Sequence, residues 1–117
     1  MSTEKNVFIN SVINTQKVTI LSGFSESSVL DLAGSTMKTI ILPDSFTGGT
    51  IAFKISDDGI TYHDYYNADD ALVFITCTAG RAYGVTANDF YSIRYVKLVS
   101  DATESADREI KILCRGV

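Results

Sequence analysis

Short runs of β-branched, aromatic and aliphatic residues, interrupted at close intervals by Gly, Asn, Asp and Ser, constrain this chain more than any other feature of its sequence. Such punctuation is the pattern of sandwiches and barrels, whose strands are brief and joined by tight turns. Helical periodicity is weak throughout. Strands are expected at Lys17–Leu21, Ser28–Leu32, Met37–Leu42, Thr50–Ser56, Thr61–Tyr66, Leu72–Thr76, Ala82–Val85, Ile93–Ser100 and Glu109–Arg115. The fold class that follows is all-β, an antiparallel β-sandwich of the jelly-roll type.

Thr50–Ser56 alternates most clearly: Ile51, Phe53 and Ile55 fall on one face, expected to meet the core, and Thr50, Ala52 and Lys54 on the other. Ile110, Ile112 and Cys114 are in phase in the last run, but Leu113 breaks its polar side, so coverage on both faces is expected there. Leu72–Thr76 is apolar in both phases, as in a central strand or one with a face buried against a partner chain. Ser56-Asp57-Asp58-Gly59 has the chemistry of a hairpin turn, since Gly accepts positive φ and Asp hydrogen-bonds the local backbone. Pro43, the only proline, lacks a backbone donor and should end the strand before it. Residues 101–108 lack apolar periodicity and are expected as a solvated loop or a single helical turn.

With 117 residues, 45% of them apolar, the chain can build one core: an extended arm over residues 1–15 and a sandwich over 16–117. The formal charge of −4 argues against nucleic acid and anionic lipid as partners. No apolar stretch approaches the roughly 20 residues that span a bilayer, and the polar start lacks a signal-peptide core. Cys77 and Cys114 sit in apolar runs and read as two buried thiols, with a disulfide across the sandwich as the alternative.

No catalytic residue, cofactor site or metal site emerges. The only histidine, His63, lies between Tyr62 and Asp64 in a strand, where a surface or edge position is expected rather than a general base. Asp57, Asp58, Asp64, Asp69 and Asp70 cluster around one hairpin, but their spacing does not match the EF-hand pattern, so turn formation and solubility are the favoured account, with structural calcium as the lesser alternative. Tyr65, Tyr66 and Tyr91 are candidate exposed aromatic contacts, because adjacent strand residues face opposite ways and one of Tyr65 and Tyr66 should lie outside the core. The apolar residues Val7, Phe8, Ile9, Val12 and Ile13 in a polar arm are candidate contacts with a capsid or with a second copy.

Two resemblances follow from these segments. Ser56, Asp58 and Gly59, followed by an aromatic strand, together with Arg94-Tyr95-Val96-Lys97-Leu98, resemble the discoidin-type jelly roll over the middle half of the chain. More of it is covered by a second likeness, through Leu42-Pro43, Phe46, Gly48, Ser56–Gly59, Ala79-Gly-Arg-Ala82, Arg94-Tyr95, Lys97 and Arg108–Ile110: the chain resembles tailed-phage capsid decoration, or cement, proteins. That resemblance implies a non-enzymatic virion protein on the outer capsid surface, assembled in the host cytoplasm. Its implied partners are the phage major capsid protein, bridged between neighbouring subunits, and itself as a dimer or trimer. The alternatives are a carbohydrate-binding, discoidin-like module of a tail or baseplate, and a head or tail completion protein.

Overall fold

The computed structural model describes residues 13–116. Each of the nine expected runs contains a strand: β1 (Ile13–Ile20), β2 (Leu30–Asp31), β3 (Ser35–Ile41), β4 (Thr50–Ser56), β5 (His63–Asp64), β6 (Phe74–Thr76), β7 (Ala82–Gly84), β8 (Tyr95–Ser100) and β9 (Arg108–Gly116). A 3-10 helix, Ala87–Phe90, precedes β8, and there is no α-helix among the described residues. All strand pairs are antiparallel. One sheet has the order β1-β9-β3-β7; in the other, β2-β8-β4 is completed by β5 and β6, which lie one after the other along the free side of β4. The chain passes repeatedly from one sheet to the other, from β1 to β2 to β3 to β4 and again from β6 to β7 to β8 to β9. This is an antiparallel β-sandwich with jelly-roll connectivity.

The core lies between the sheets. Val18, Ile20, Met37, Ile40, Ile110, Ile112 and Cys114 enter it from the first sheet, and Leu30, Ile51, Phe53, Val96 and Leu98 from the second. Phe53 sets its ring edge-on to Phe90 with centroids 4.9 Å apart, so the 3-10 helix closes one side of the core with an aromatic pair. Both cysteines are buried and free. β9 is central, but its outer face is open: Glu109, Lys111 and Arg115 are exposed and Leu113 is half-buried, so the expected two-sided cover is absent. A β-bulge at Lys38 shifts the β3–β9 register between Met37 and Thr39.

β1 begins at Ile13, four residues before the expected Lys17, because residues 13–16 find partners on Arg115–Ile112. The candidate contacts Val7, Phe8, Ile9 and Val12 lie outside the described residues. β6 is an edge strand, which removes the central-strand reading of Leu72–Thr76 and keeps the one with an outward apolar face.

The registers define two ends of the sandwich. At the first end lie the starts of β1 and β3, the Ala33-Gly34 turn, the 57–62 loop and the 3-10 helix. At the second lie the Leu21–Phe24 turn and the loops 42–49 and 101–107. The last of these is more than a solvated loop, because Glu104 is wholly buried in it. Its Oε1 accepts hydrogen bonds from Thr47 N at 3.0 Å and Arg108 Nε at 2.9 Å. Its backbone exchanges bonds with Gly23 and Phe24, so one residue ties three loops together.

Candidate interaction surfaces

The free side of β4 carries a row of exposed apolar side chains. Between β5 and β6 the chain leaves the sheet as a hairpin: Tyr66 pairs with Leu72, Asn67 N donates to Ala71 O at 2.8 Å, and the Asn67 side chain caps Asp69 N and Ala71 N. Asp70 completes the turn at φ 61°, a conformation that short polar side chains tolerate. Tyr66 (51% exposed) therefore stands opposite Leu72 (37%), and Phe74 (52%) follows Leu72 by two residues on the same face. An aromatic and aliphatic row at a sheet edge is the kind of surface that proteins ordinarily cover with a partner.

Tyr65 does not belong to that surface. Its side chain points the opposite way from that of Tyr66, is half-buried against the core and packs edge-on to Phe90 at 5.7 Å. Its hydroxyl donates to the backbone carbonyl of Asp89, and burial pushes the phenol pKa above its usual value. The expectation of an exposed Tyr65 is thus corrected: strand alternation sends one of two adjacent tyrosines inward, and Tyr65 is that one.

Tyr91, 63% exposed, lies elsewhere, at the first end. There a cleft of about 450 Å³ opens between the Ala33–Ser35 turn and the segment from Tyr91 to Arg94. Arg94 forms a two-pronged pair with Asp31, Nε to Oδ1 at 3.0 Å and a terminal nitrogen to Oδ2 at 3.2 Å. The Arg94 hydrogen bond holds the Asp31 carboxyl below its ordinary range, and Asp31 in turn raises the guanidinium. The guanidinium also sits 4.9 Å from the centre of the Tyr95 ring. An open cleft lined by an exposed aromatic ring, Ser92 and the fixed Arg94 can accept a polar, hydroxyl-bearing ligand by stacking and hydrogen bonding.

On the outside of the second sheet, Glu26 bridges Lys54 at 3.0 Å and Lys97 at 3.4 Å. The Lys54 hydrogen bond is the main cause of the lowered Glu26 pKa. Tyr62 lies over the Lys97 ammonium at 4.5 Å, and burial raises its phenol. These contacts offset one of the two lysine charges and cover part of that face.

His63 is exposed at the edge, opposite Ile55. Among the described residues no group of three or more His, Cys, Asp or Glu side chains converges in a way that could hold a metal ion. Asp58 is committed to the turn, its Oδ1 accepting from Ile60 N, Thr61 N and the Ser56 hydroxyl. Ile13 pairs with Arg115 through β1. The sequence signal for Leu72 and Phe74 was their place in a run apolar in both phases; the Asp31–Arg94 pair joins residues far apart in the chain and had no local signal.

No family profile matches the chain, and comparison with curated proteins gives no match. Two solved structures share its fold. The SPBc2 prophage-derived protein YomS is similar at a TM-score of 0.59 and 14% identity, over 91% of this chain and 96% of that one. CBM32-1, from a family 31 glycoside hydrolase of Clostridium perfringens, is similar at a TM-score of 0.50 and 17% identity, over 92% of this chain and 78% of that one.

Proposed function

We propose that this chain is a non-enzymatic phage virion protein of the capsid decoration type, which binds the outer shell and bridges neighbouring major capsid subunits. The observation that carries this reading is the shared extent of fold with a prophage-derived protein, over 91% of this chain and 96% of that one. The exposed row of Tyr66, Leu72 and Phe74 on a rigid β body supports it, since a bridging protein works through surfaces rather than a cleft. Many copies that bind only the assembled lattice would shift it away from dissociation by mass action. The arm Met1–Val12 supplies the shell contact in this reading. To test it, purified protein is mixed with capsids lacking it, the particles are sedimented and bound copies are counted. Copies on the order of hundreds per particle, with a raised capsid melting temperature, support decoration; about a dozen or fewer assign the chain to a vertex or tail ring instead. Deleting residues 1–12 should abolish binding and leave the body folded, and full occupancy by the truncated protein would sink the role given to the arm.

A second reading, a carbohydrate-binding module, is favoured by the first-end cleft and by the fold likeness to CBM32-1. In that case Tyr91→Ala should weaken retention on a glycan panel. A panel on which the unaltered protein binds nothing counts against this reading.

A further inference from the structure

The charges of this molecule are segregated. Residues 55–80 contain Asp57, Asp58, Asp64, Asp69 and Asp70 and no lysine or arginine. All five aspartates are exposed: Asp64, Asp69 and Asp70 on β5 and the hairpin beside Tyr66, Leu72 and Phe74, and Asp57 and Asp58 in the loop that leads into β5. The cations of the second sheet have carboxylates within reach: Lys54 and Lys97 share Glu26, and Arg94 pairs with Asp31. The outer face of the first sheet has the opposite character. Strand alternation that buries Val18, Ile110, Ile112 and Cys114 turns Lys17, Lys111 and Arg115 outward, and the bulge leaves Lys38 exposed beside them. Glu109 is the one acidic side chain on these strands, held loosely by Lys17 at 3.8 Å. Lys38, Lys111 and Arg115 have no ion-pair partner among the described residues. Leu113 and Ile41 lie half-buried between these cations.

We infer that the acidic, aromatic edge of one copy docks on the basic outer face of the first sheet of a second copy. The two patches differ, so the contact is heterologous: repeated head to tail, it closes into a ring or extends as a filament, unlike a two-fold dimer. The apolar row meets Leu113 and Ile41, and the aspartates meet Lys38, Lys111 and Arg115 around it. This assembly does not depend on the capsid, so it is measured without one.

The test is sedimentation velocity on the full chain at about 10 mM and about 1 M salt, where the screening length is about 30 Å and about 3 Å. Association at low salt and its loss at high salt are expected. Two charge-reversed variants then identify the surfaces. Lys111→Glu with Arg115→Glu makes the face acidic. Asp57→Lys with Asp64→Lys and Asp69→Lys makes the edge basic, three lysines against two aspartates, and leaves Asp58 and Asp70, which the turns require, in place. Each variant alone should be monomeric at low salt, with an unchanged far-ultraviolet circular dichroism spectrum, and an equimolar mixture should associate again. A wild-type chain that stays monomeric at low salt overturns the inference, as does a mixture of folded variants that fails to associate. Retention of a monomer on a polyanion matrix through Lys111 and Arg115 would assign the face to another partner and overturn it too.

Discussion

Glu104→Ala is expected to be the most costly single change outside the hydrophobic core. The carboxylate is wholly buried, and its Oε1 holds both Arg108 Nε at 2.9 Å and Thr47 N at 3.0 Å. Its loss leaves a nearly buried guanidinium without its counter-charge and a backbone donor without its acceptor. Breaking a buried pair from one side costs about 3–5 kcal/mol. A domain of this length has about 6–18 kcal/mol in all, so the variant should remain folded at room temperature with a melting temperature about 10–20 °C lower. Urea unfolding followed by circular dichroism measures this as a lower midpoint at unchanged slope. Replacing both partners, Glu104→Leu with Arg108→Met, should recover most of the loss, because no charge is then left buried alone. Desolvation pushes the Glu104 carboxyl up, but the Arg108 and Thr47 hydrogen bonds outweigh it and hold the pKa below the ordinary 4.5. A depressed folded pKa gives stability that is full above the unfolded value and lost as pH falls through the folded one. The gap between wild type and Glu104→Ala should therefore narrow below pH 4.5. An alanine variant within about 1 kcal/mol of wild type, or a double variant as unstable as the single one, would refute the reasoning.

Gly48→Ala should destabilise the second end, since an added Cβ would sit 2.1 Å from Ser100 Oγ and 3.1 Å from the Phe46 ring; thermal melting checks this, and an unchanged melting temperature would show that the loop gives way. The Asp58 carboxyl, which accepts from Thr61 N, Ile60 N and the Ser56 hydroxyl, is held at about 2, so its contribution is present above the ordinary aspartate value of 3.8 and vanishes as pH falls through about 2. A carboxyl titration by nuclear magnetic resonance that places it near 3.8 would contradict that hydrogen bonding. Burial raises the pKa of both Cys77 and Cys114, so neither should react with iodoacetamide at neutral pH until denaturant exposes them, and rapid labelling of native protein would count against their positions. Phe53→Ala should cost about 3–5 kcal/mol through the cavity it opens beside Phe90, which denaturant titration would register.

The strands were legible because the two-residue period and the turn residues act within a few positions of each other. β4 shows this best: Ile51 and Phe53 are buried as their alternation required, and Ser56 to Gly59 make the turn their chemistry predicts, with Gly59 at φ 77°. Tyr65 and Tyr66 mark the limit of the same rule. Alternation says that they part company, but only the packing of Phe90, which comes 25 residues after Tyr65, decides which one goes inward. Glu104 was hidden for a related reason. A glutamate among Ala, Thr, Ser and Asp looks solvated, and its burial depends on Thr47 arriving from another loop. Local chemistry thus gave the elements, whereas the partners that bury a polar group came from distant sequence.

The charge segregation combines both kinds of information, and its two halves were unequally visible. The acidic edge is contiguous in sequence, so the absence of any lysine or arginine from residues 55–80 is read directly, although turn formation and solubility explain the same aspartates locally. The basic face draws Lys17 from β1, Lys38 from β3, and Lys111 and Arg115 from β9, and it exists only because β9 lies between the other two. A net charge of −4 conceals it, since the total counts the paired cations of the second sheet equally with the unpaired ones of the first. For a small β body, partner choice at a surface depends on which charges remain uncompensated after folding, and on whether apolar ground lies among them. Here Lys38, Lys111 and Arg115 lie on one side of the sandwich, with Asp44 at their border, and the Asp57–Asp70 cluster on another, each beside exposed or half-exposed apolar residues, which is the condition for one copy to recognise another head to tail.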